Sequence, residues 1–422
     1  MSSLLQDLRF ALRSFIRAPR FSVPAILALA LGIGATSATL SVVRGVMLEP
    51  LPYRDPDRVV SIWETNPDRN IRRNVIGQSN FVAWRERLRS FEHLGMVGPA
   101  RLSLIVGNMP DEVEGMIASS DVFAALGVQP AIGRAYTANE DVQGNAQVMV
   151  VSHEFWRDTL GSPASLDGVA LKVFGESVPV AGVMPEGFHF PPDANVWFPA
   201  DVFPKDLSRT AHNWHAVGRL QDGVTLEQAR EEASGLGKAL RAQLGGEVDL
   251  ASFGLTTLHD ALVGPVRPIL LSLLAGAGFL LLVAGSNVAN LFVAQALARR
   301  KELAVRAALG AGQGRLVRQF VCESLVLALG GALLGVLAAR ASLGGMLALI
   351  GDQLPRAGEI AIDARTLLAT FAVSVALAVL VAAQGMSICV RGRARAGRFR
   401  PRWRGVRATT IGGVTLDIAL QP

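Results

Sequence analysis

Two cysteines, Cys322 and Cys389, are all that the 422 residues contain, and both lie in or beside hydrophobic runs, so no disulfide framework is expected. Charge is scarce as well: 18% of residues are Asp, Glu, Lys or Arg, against about 25% in ordinary soluble domains. With half of the residues hydrophobic, this shortage excludes a typical soluble enzyme and points to a membrane chain with a water-soluble part. Several chemical motifs are missing too. There is no G-x-x-x-x-G-K-[ST] phosphate loop and no G-x-S-x-G elbow. His153-Glu154 opens like a zinc-protease motif, yet HEFWR lacks the second His one turn on. HNWH at 212–215 has no Cys or carboxylate cluster beside it and reads as polar residues ahead of a strand. The expectation is no catalytic residue, no metal, no cofactor and no nucleic-acid partner. A membrane hydrolase built on His153 and Glu154 is the enzymatic alternative.

What is present is long stretches without charge. Phe21–Val43, Pro268–Ala298 and Thr366–Val390 each exceed the roughly 20 residues that cross a bilayer core. Ser324–Ala339 is shorter and reaches full length if Phe320–Cys322 join it, with Glu323 either facing other helices, paired with a cation such as Arg318, or marking the start of the span. Four spans are predicted, at 21–47, 268–298, 320–340 and 366–390.

Cations set the orientation. Arg9, Arg13, Arg17 and Arg20 precede the first span, six Lys or Arg lie between the second and third, and eight Arg follow the fourth without an acid among them. The loop from Arg340 to Arg365 balances its three Arg with Asp352, Glu359 and Asp363. Lys/Arg-rich loops stay inside, so both termini and 299–319 are expected in the cytoplasm, and 48–265 outside the inner (plasma) membrane. Residues 1–20 alternate Leu5, Leu8, Leu12 and Phe15 with Arg9, Arg13 and Arg17, which suits an amphipathic helix on anionic lipid. A cleavable secretory leader also starts with a basic head and an apolar stretch, and ATSA at 35–38 would be its cleavage site. The apolar run here is longer than such leaders use, so the segment is expected to stay as a span.

Region 48–265 reads as an α+β domain. RVVSIW (58–63), VMVVS (148–152), LKVFG and VPVAGV around a Gly175-Glu176-Ser177 turn, and WHAVGRL (214–220) are strand-like. A helix is predicted at 225–244, with Thr225 and Gln228 as a capping box and Leu226, Ala229, Ala233, Leu236, Leu240 and Leu244 as its apolar face. Another is predicted near NFVAWRERLRSF.

RRKELAVRAALGAGQGRLVRQ at 299–319 stands out. Arg299, Glu302 and Arg306 share one helical face, and Glu302 four residues before Arg306 is the favourable order for a helical ion pair. Gly310, Gly312 and Gly314 then stop the helix, and Arg315 can begin the next. Retaining the loop inside needs cations alone; a short helix with a defined stop suggests docking to a partner.

That segment, with AGSNVANLFVAQALA (284–298) before it and FVCESL after it, resembles the signature of MacB/FtsX-type ABC transporter permeases. SNFVAWRERLRSFEHL (79–94), SSDVFAALGVQPAIGR (119–134), VVSHEFWRDTLG (150–161), VAGVMPEGFHFP (180–191) and DGVTLEQAREE (222–232) are similar to successive blocks of the MacB-like periplasmic core domain. The strongest likeness is to the first half of the duplicated orphan permeases described from Acidobacteria. The resemblance runs over about residues 1–383. It implies an ABC ATPase partner in trans, a second permease half or a homodimer, and ATP-driven movement of the outer domain for efflux or envelope-substrate extraction, without passage of substrate through the membrane. By position it assigns Arg299, Arg300, Glu302, Arg306 and Gly310 to the ATPase-coupling segment, and extends the first two spans outward as a stalk.

The expected organisation is a cytoplasmic amphipathic helix (1–20), a first span (21–47), the outer domain (48–265), a permease domain (266–390) and a basic irregular tail (391–422). Close helix packing is permitted by Gly331 and Gly335 in the third span and by the small residues Gly32, Gly34, Ala35 and Ser37 in the first, while Asn287 and Asn290 on the second are expected as packing glue, with hydrogen bonds across helices as the alternative. The likeness fades after Ala383, where the Arg-rich end reads as a frameshift product or a membrane-holding arm. A membrane-anchored binding or sensory module without transport is the alternative function.

Overall fold

The computed structural model describes residues 9, 11–13, 15–106, 109–141, 148–173, 176–188, 190–191, 194–200, 212–245, 251–298, 313–350, 360, 365–366, 368–370, 372–373 and 376. Its helices are α1 (Pro19–Val43), α2 (Gln78–Arg87), α3 (Asp121–Leu126), α4 (His153–Asp158), α5 (Leu226–Leu244), α6 (Leu258–Val263), α7 (Arg267–Ala298) and α8 (Gln313–Ile350). Three stretches, Pro19–Leu48, Arg267–Gln295 and Val321–Gly345, are long and apolar enough to cross a membrane by length and composition. The predicted fourth span and the tail at 391–422 lie outside the described residues apart from a few positions at 366–376. Among the described residues, the strongly exposed large apolar side chains sit on α1, α7 and α8 or on the turns and short pieces flanking them, and none is on the outer domain. Such surface is tolerable in lipid and not in water. Glu323 lies inside the span that starts at Val321 and is 2% exposed, so the helix bundle encloses it.

The chain forms two compact units: 1–36, 278–338 and 367–422 in one, 37–277 and 339–366 in the other. The second contains the outer domain. Its strands are β1 (Val59–Asn66), β2 (Ile71–Asn74), β3 (Ile76–Gly77), β4 (Phe91–Val106), β5 (Met109–Ala118), β6 (Ile132–Gly133), β7 (Met149–Val151), β8 (Ala170–Val173), β9 (Glu176–Val183), β10 (Val196–Pro199), β11 (His212–Leu220) and β12 (Ser252–Thr257). They join in the order β12-β1-β11-β4-β5-β10-β7-β9-β6, with β2 beside β1, β3 beside β11, and β8 between β4 and β9. β5–β10 and β7–β9 are parallel and the other pairs antiparallel, giving the mixed sheet of an α+β domain.

Local sequence explains most of these elements. β1 alternates buried and half-buried residues, as a strand with one covered face requires. α5 begins with the predicted capping box: Gln228 N donates to Thr225 Oγ1 at 3.3 Å and Thr225 N to Gln228 Oε1 at 2.9 Å. Its buried Ala229, Ala233 and Leu240 pack with Trp84, Phe81 and Phe253 beneath the sheet, where Trp84 meets Phe253 edge to face at 4.1 Å. α3 stops at Gly127, whose φ of +68° most side chains avoid.

Two local expectations shift. Glu176 and Ser177, expected in a turn with Gly175, are strand residues paired with Val173 and Lys172. The helix near residue 80 ends at Arg87, and Phe91, expected in it, opens β4.

One surface ion pair has a readable pH dependence. Arg134 grips Glu140 with two 2.7 Å hydrogen bonds, and Thr137 N donates to the same carboxylate at 2.9 Å. The Arg134 hydrogen bond chiefly holds the Glu140 carboxyl at about 2, below its ordinary 4.5, against the opposing effect of burial. Because the folded value is the depressed one, this contribution is complete above pH 4.5 and vanishes as pH falls towards 2. Arg134 is 57% exposed, so solvent screens the pair. Glu140→Gln is expected to lower stability by no more than about 1 kcal/mol at pH 7 and by nothing measurable near pH 2, by thermal unfolding at the two pH values.

Candidate functional site

Within the first compact unit, α1 and α8 cross through glycines. A Cβ added at Gly331 would stand 2.6 Å from Leu29 Cβ, one at Gly335 3.0 Å from the Ala30 carbonyl oxygen, and one at Gly34 2.9 Å from the Gly335 carbonyl oxygen. On α7, Ala284 Cβ would lie 3.0 Å from a Cβ at Gly32. Small residues thus let three helices approach backbone to backbone, which replaces the hydrophobic driving force lost in lipid. Near the start of α1, Phe21 lies 6.2 Å from Phe15 and 5.5 Å from Phe292, and Ala11 and Phe15 are buried there, while Leu12, Ile16, Arg9, Arg13 and Arg17 are exposed.

Within the second unit lie the roots of the outer domain. α1 runs into a π-helical turn, Arg44–Leu48, and Val42, Val43 and Val46 share a core with Val263, Leu270, Leu343 and Ile360. The outward ends of three helices therefore meet in one apolar cluster. Arg44 pairs with Glu49 at 3.1 Å on the way in, and Arg267 with Asp260 at 2.7 Å on the way out. The Arg267 hydrogen bond holds the Asp260 carboxyl below its usual value. Asp260 N in turn donates to Thr257, the last residue of β12, so α7 connects through α6 to the sheet.

Two arginines fasten the entering linker to that sheet. Arg219 on β11 is 4% exposed; its Nε donates to the Ala125 carbonyl at 3.0 Å and its Nη2 to the Arg54 carbonyl at 2.7 Å. Burial lowers its pKa first of all, and Arg58 adds to this. Arg58 donates to the Leu220 carbonyl and meets Glu92 at 2.9 Å and Asp222 at 2.6 Å. Neither arginine is marked by a motif. The one signal was a cation inside the apolar strand WHAVGRL, since a charge is rarely buried unless carbonyls or acids receive it.

Other sequence candidates fall apart or fall elsewhere. Arg299, Arg300, Glu302, Arg306 and Gly310 lie outside the described residues. From Gln313 the basic segment is already the first turn of α8, so Gly314, expected in a turn, is helical. Asn287 and Asn290 are exposed on α7 and make no hydrogen bond to the described residues. His212 and His215 lie within β11 and not before it. His153 and Glu154 open the one-and-a-half-turn α4, capped by Ser152. No group of three His, Cys, Asp or Glu among the described residues is placed to hold a metal ion.

Among known protein families, the one described as MacB-like periplasmic core domain matches residues 22–236, and the one described as FtsX-like permease C-terminal matches 274–391. The chain is 28% identical over 220 residues to the macrolide export ATP-binding/permease protein MacB 2 of Aeromonas hydrophila, covering 51% of this chain and 33% of that protein. It therefore spans about a third of the length of that relative. It is 22% identical over 350 residues to the ABC transporter permease YknZ of Bacillus subtilis, covering 79% and 85% of the two chains. The crystal structure of the periplasmic region of MacB from Actinobacillus actinomycetemcomitans aligns with a TM-score of 0.39 at 16% identity, covering 54% of this chain and 97% of that one.

Proposed function

This chain belongs to the MacB/FtsX-type ABC transporter permeases, and from that premise we propose that it turns ATP hydrolysis by an ATPase on another chain into movement of its outer domain. Its place is the inner membrane, with the MacB-like domain outside it. In the proposed cycle the ATPase docks on the 299–319 segment through Arg299, Arg300, Glu302, Arg306 and Gly310. Motion passes up the helices, which pair with those of a second permease half, and reaches the sheet through the roots. Both termini are cytoplasmic in this reading, as the Arg-rich flanks favour.

The observation that carries the proposal is the root cluster: Val42 and Val46 from α1 and the turn that continues it, Leu270 from α7 and Leu343 from α8 are packed in one core with Val263 of α6. Packed interfaces shift between discrete arrangements and do not stretch, so a change of angle in any one helix reaches the sheet. The work done outside would be efflux of a small molecule or extraction of an envelope component. The Aeromonas relative is named for macrolide export, which supports efflux of a small molecule as the first activity to assay.

The test is a complex reconstituted with its ATPase in vesicles. Glu302→Lys reverses a charge at the docking helix and is expected to reduce permease-stimulated ATP hydrolysis roughly tenfold or more. Unchanged hydrolysis would overturn the proposal. If an unrelated basic loop in place of 299–319 preserved function, the anchored sensory module would be the better reading.

A further inference from the structure

Arg219 is a buried cation without an acid of its own. It lies between Val59 of β1 and His93 of β4, and no carboxylate among the described residues pairs with it. Its Nε and Nη2 donate to the Ala125 and Arg54 carbonyls, while Nη1 is buried with no hydrogen-bond partner among the described residues. Arg58 and Arg54 repel it, and the nearby Asp55, Glu92 and Asp222 are paired with Arg58. A guanidinium buried in such surroundings costs the fold stability. Two further features keep it there. At Gly127 a Cβ would stand 2.7 Å from Nη2 of Arg219 and 2.9 Å from Arg54 Cβ, so only glycine leaves room for the contact. Beyond Arg54, Asp55 has a φ of +43°, in the left-handed region that residues other than glycine seldom adopt. Backbone outliers of this kind persist where their surroundings over-determine them, and they gather at functional sites.

We propose that Arg219 is a positioning residue, a clasp that makes the sheet follow the linker leaving the first root, and that it is kept for this transmission at the expense of stability. Its place in the fold gives the reason. Arg54 belongs to the linker that runs from the Arg44–Leu48 turn to β1, and Ala125 to the last turn of α3, whose Val122 packs on β4 where Gly95 leaves space. The guanidinium therefore joins linker, helix and strand at one point. The roots also reach the sheet through α6, but that path enters at β12, the end of the strand order. Arg219 enters at β11, two strands further in, so a pull on the linker acts on the middle of the sheet. A planar fork can hold carbonyls of two segments at once, and its charge does not titrate, so the clasp stays shut at every physiological pH. An apolar side chain of like volume would fill the space and leave the linker unheld. The inference rests on the permease reading for the source of the movement.

The test uses the full chain in lipid vesicles, reconstituted with its ATPase, with both native cysteines replaced by alanine. Spin labels at Arg54→Cys, whose side chain is 80% exposed and which keeps its carbonyl, and at Lys172→Cys on β8 report the distance from linker to sheet. A second pair, Arg17→Cys and Lys172→Cys, reports movement of the sheet when ATP and vanadate are added. Arg219→Met removes the charge and the fork. Arg219→Lys keeps the charge on a compact ammonium that cannot hold both carbonyls in one plane. In each, the linker-to-sheet distribution is expected to be at least about twice as broad as in the parent, and the nucleotide-driven movement to fall to about a third or less. The unfolding midpoint of Arg219→Met should stay within roughly 4 °C of the parent, because loss of the buried cation offsets loss of its hydrogen bonds. A linker as narrowly held in Arg219→Met as in the parent, or a sheet that moves as far, overturns the inference alone. So does a midpoint that falls as far as that of Trp197→Ala, which would make Arg219 a structural staple. A parent whose sheet does not respond to nucleotide sinks the permease reading, and the transmission role with it.

Discussion

Trp197→Ala is expected to remove about 3–5 kcal/mol from the outer domain, a large share of the roughly 5–15 kcal/mol that holds a typical domain together. Trp197 lies on β10, between β5 and β7, and is fully buried. Its ring packs 6.2 Å from Phe123 and 5.4 Å from Phe188, and its indole N–H donates to the Phe190 carbonyl at 2.8 Å. Truncation opens a cavity among aromatics that cannot all collapse into it, and strands a buried carbonyl as well. Thermal unfolding of the full chain in detergent, read by near-ultraviolet circular dichroism, should show the outer-domain transition moved down by many degrees. Trp63→Ala is the comparison. That ring is half exposed with Arg73 stacked 4.5 Å away, so its loss should shift the transition far less. Equal shifts for the two would contradict the core assignment.

The second large effect separates two neighbouring glycines. Gly330→Ala meets nothing closer than Ile26 at 3.6 Å, an ordinary contact, and gains up to about 1 kcal/mol from replacing glycine inside a helix. Gly331→Ala gains the same propensity, yet its Cβ would sit 2.6 Å from Leu29 Cβ, an atom fixed to the α1 backbone. The helices must part, and overpacking of this kind costs about 1–3 kcal/mol. Opposite signs at adjacent positions are therefore expected, measured by thermal or denaturant unfolding in micelles. Gly331→Leu should be worse and should also weaken permease-stimulated ATP hydrolysis if motion travels through this crossing. Two variants of the same sign would show that α1 and α8 do not approach here as closely as described.

The glycine crossing couples α1, α7 and α8 side by side, and the root cluster couples α1, α7 and α8 to the sheet with Arg44–Glu49 and Arg267–Asp260 beside it. Arg58 and Arg219 then tie the incoming linker to β11 through carbonyls of distant segments. In the cycle we propose, softening the roots leaves docking of an ATPase intact and interrupts the transfer of motion to the sheet, whereas Glu302→Lys acts at docking itself.

Local pattern was enough to read three of the four predicted spans, the capping box of α5 and its apolar face, because a charge-free run, a Thr–Gln spacing and a helical period act within one segment. It was also enough to recognise the family, since several blocks succeed one another in the right order. What the sequence could not separate were residues alike in type and unlike in surroundings. Gly330 and Gly331 are identical letters, and only the line of contact with Leu29 divides them. Asn287 and Asn290 read as packing glue or as hydrogen-bonding partners across helices, and only the fold shows that both lie exposed on α7. Arg219 looks like one more strand residue until carbonyls from Arg54 and Ala125 converge on it from segments far away in the chain. Periodicity and composition determine which elements form; which side of each is covered, and by what, depends on contacts between residues far apart in the chain, and only the tertiary structure decides those.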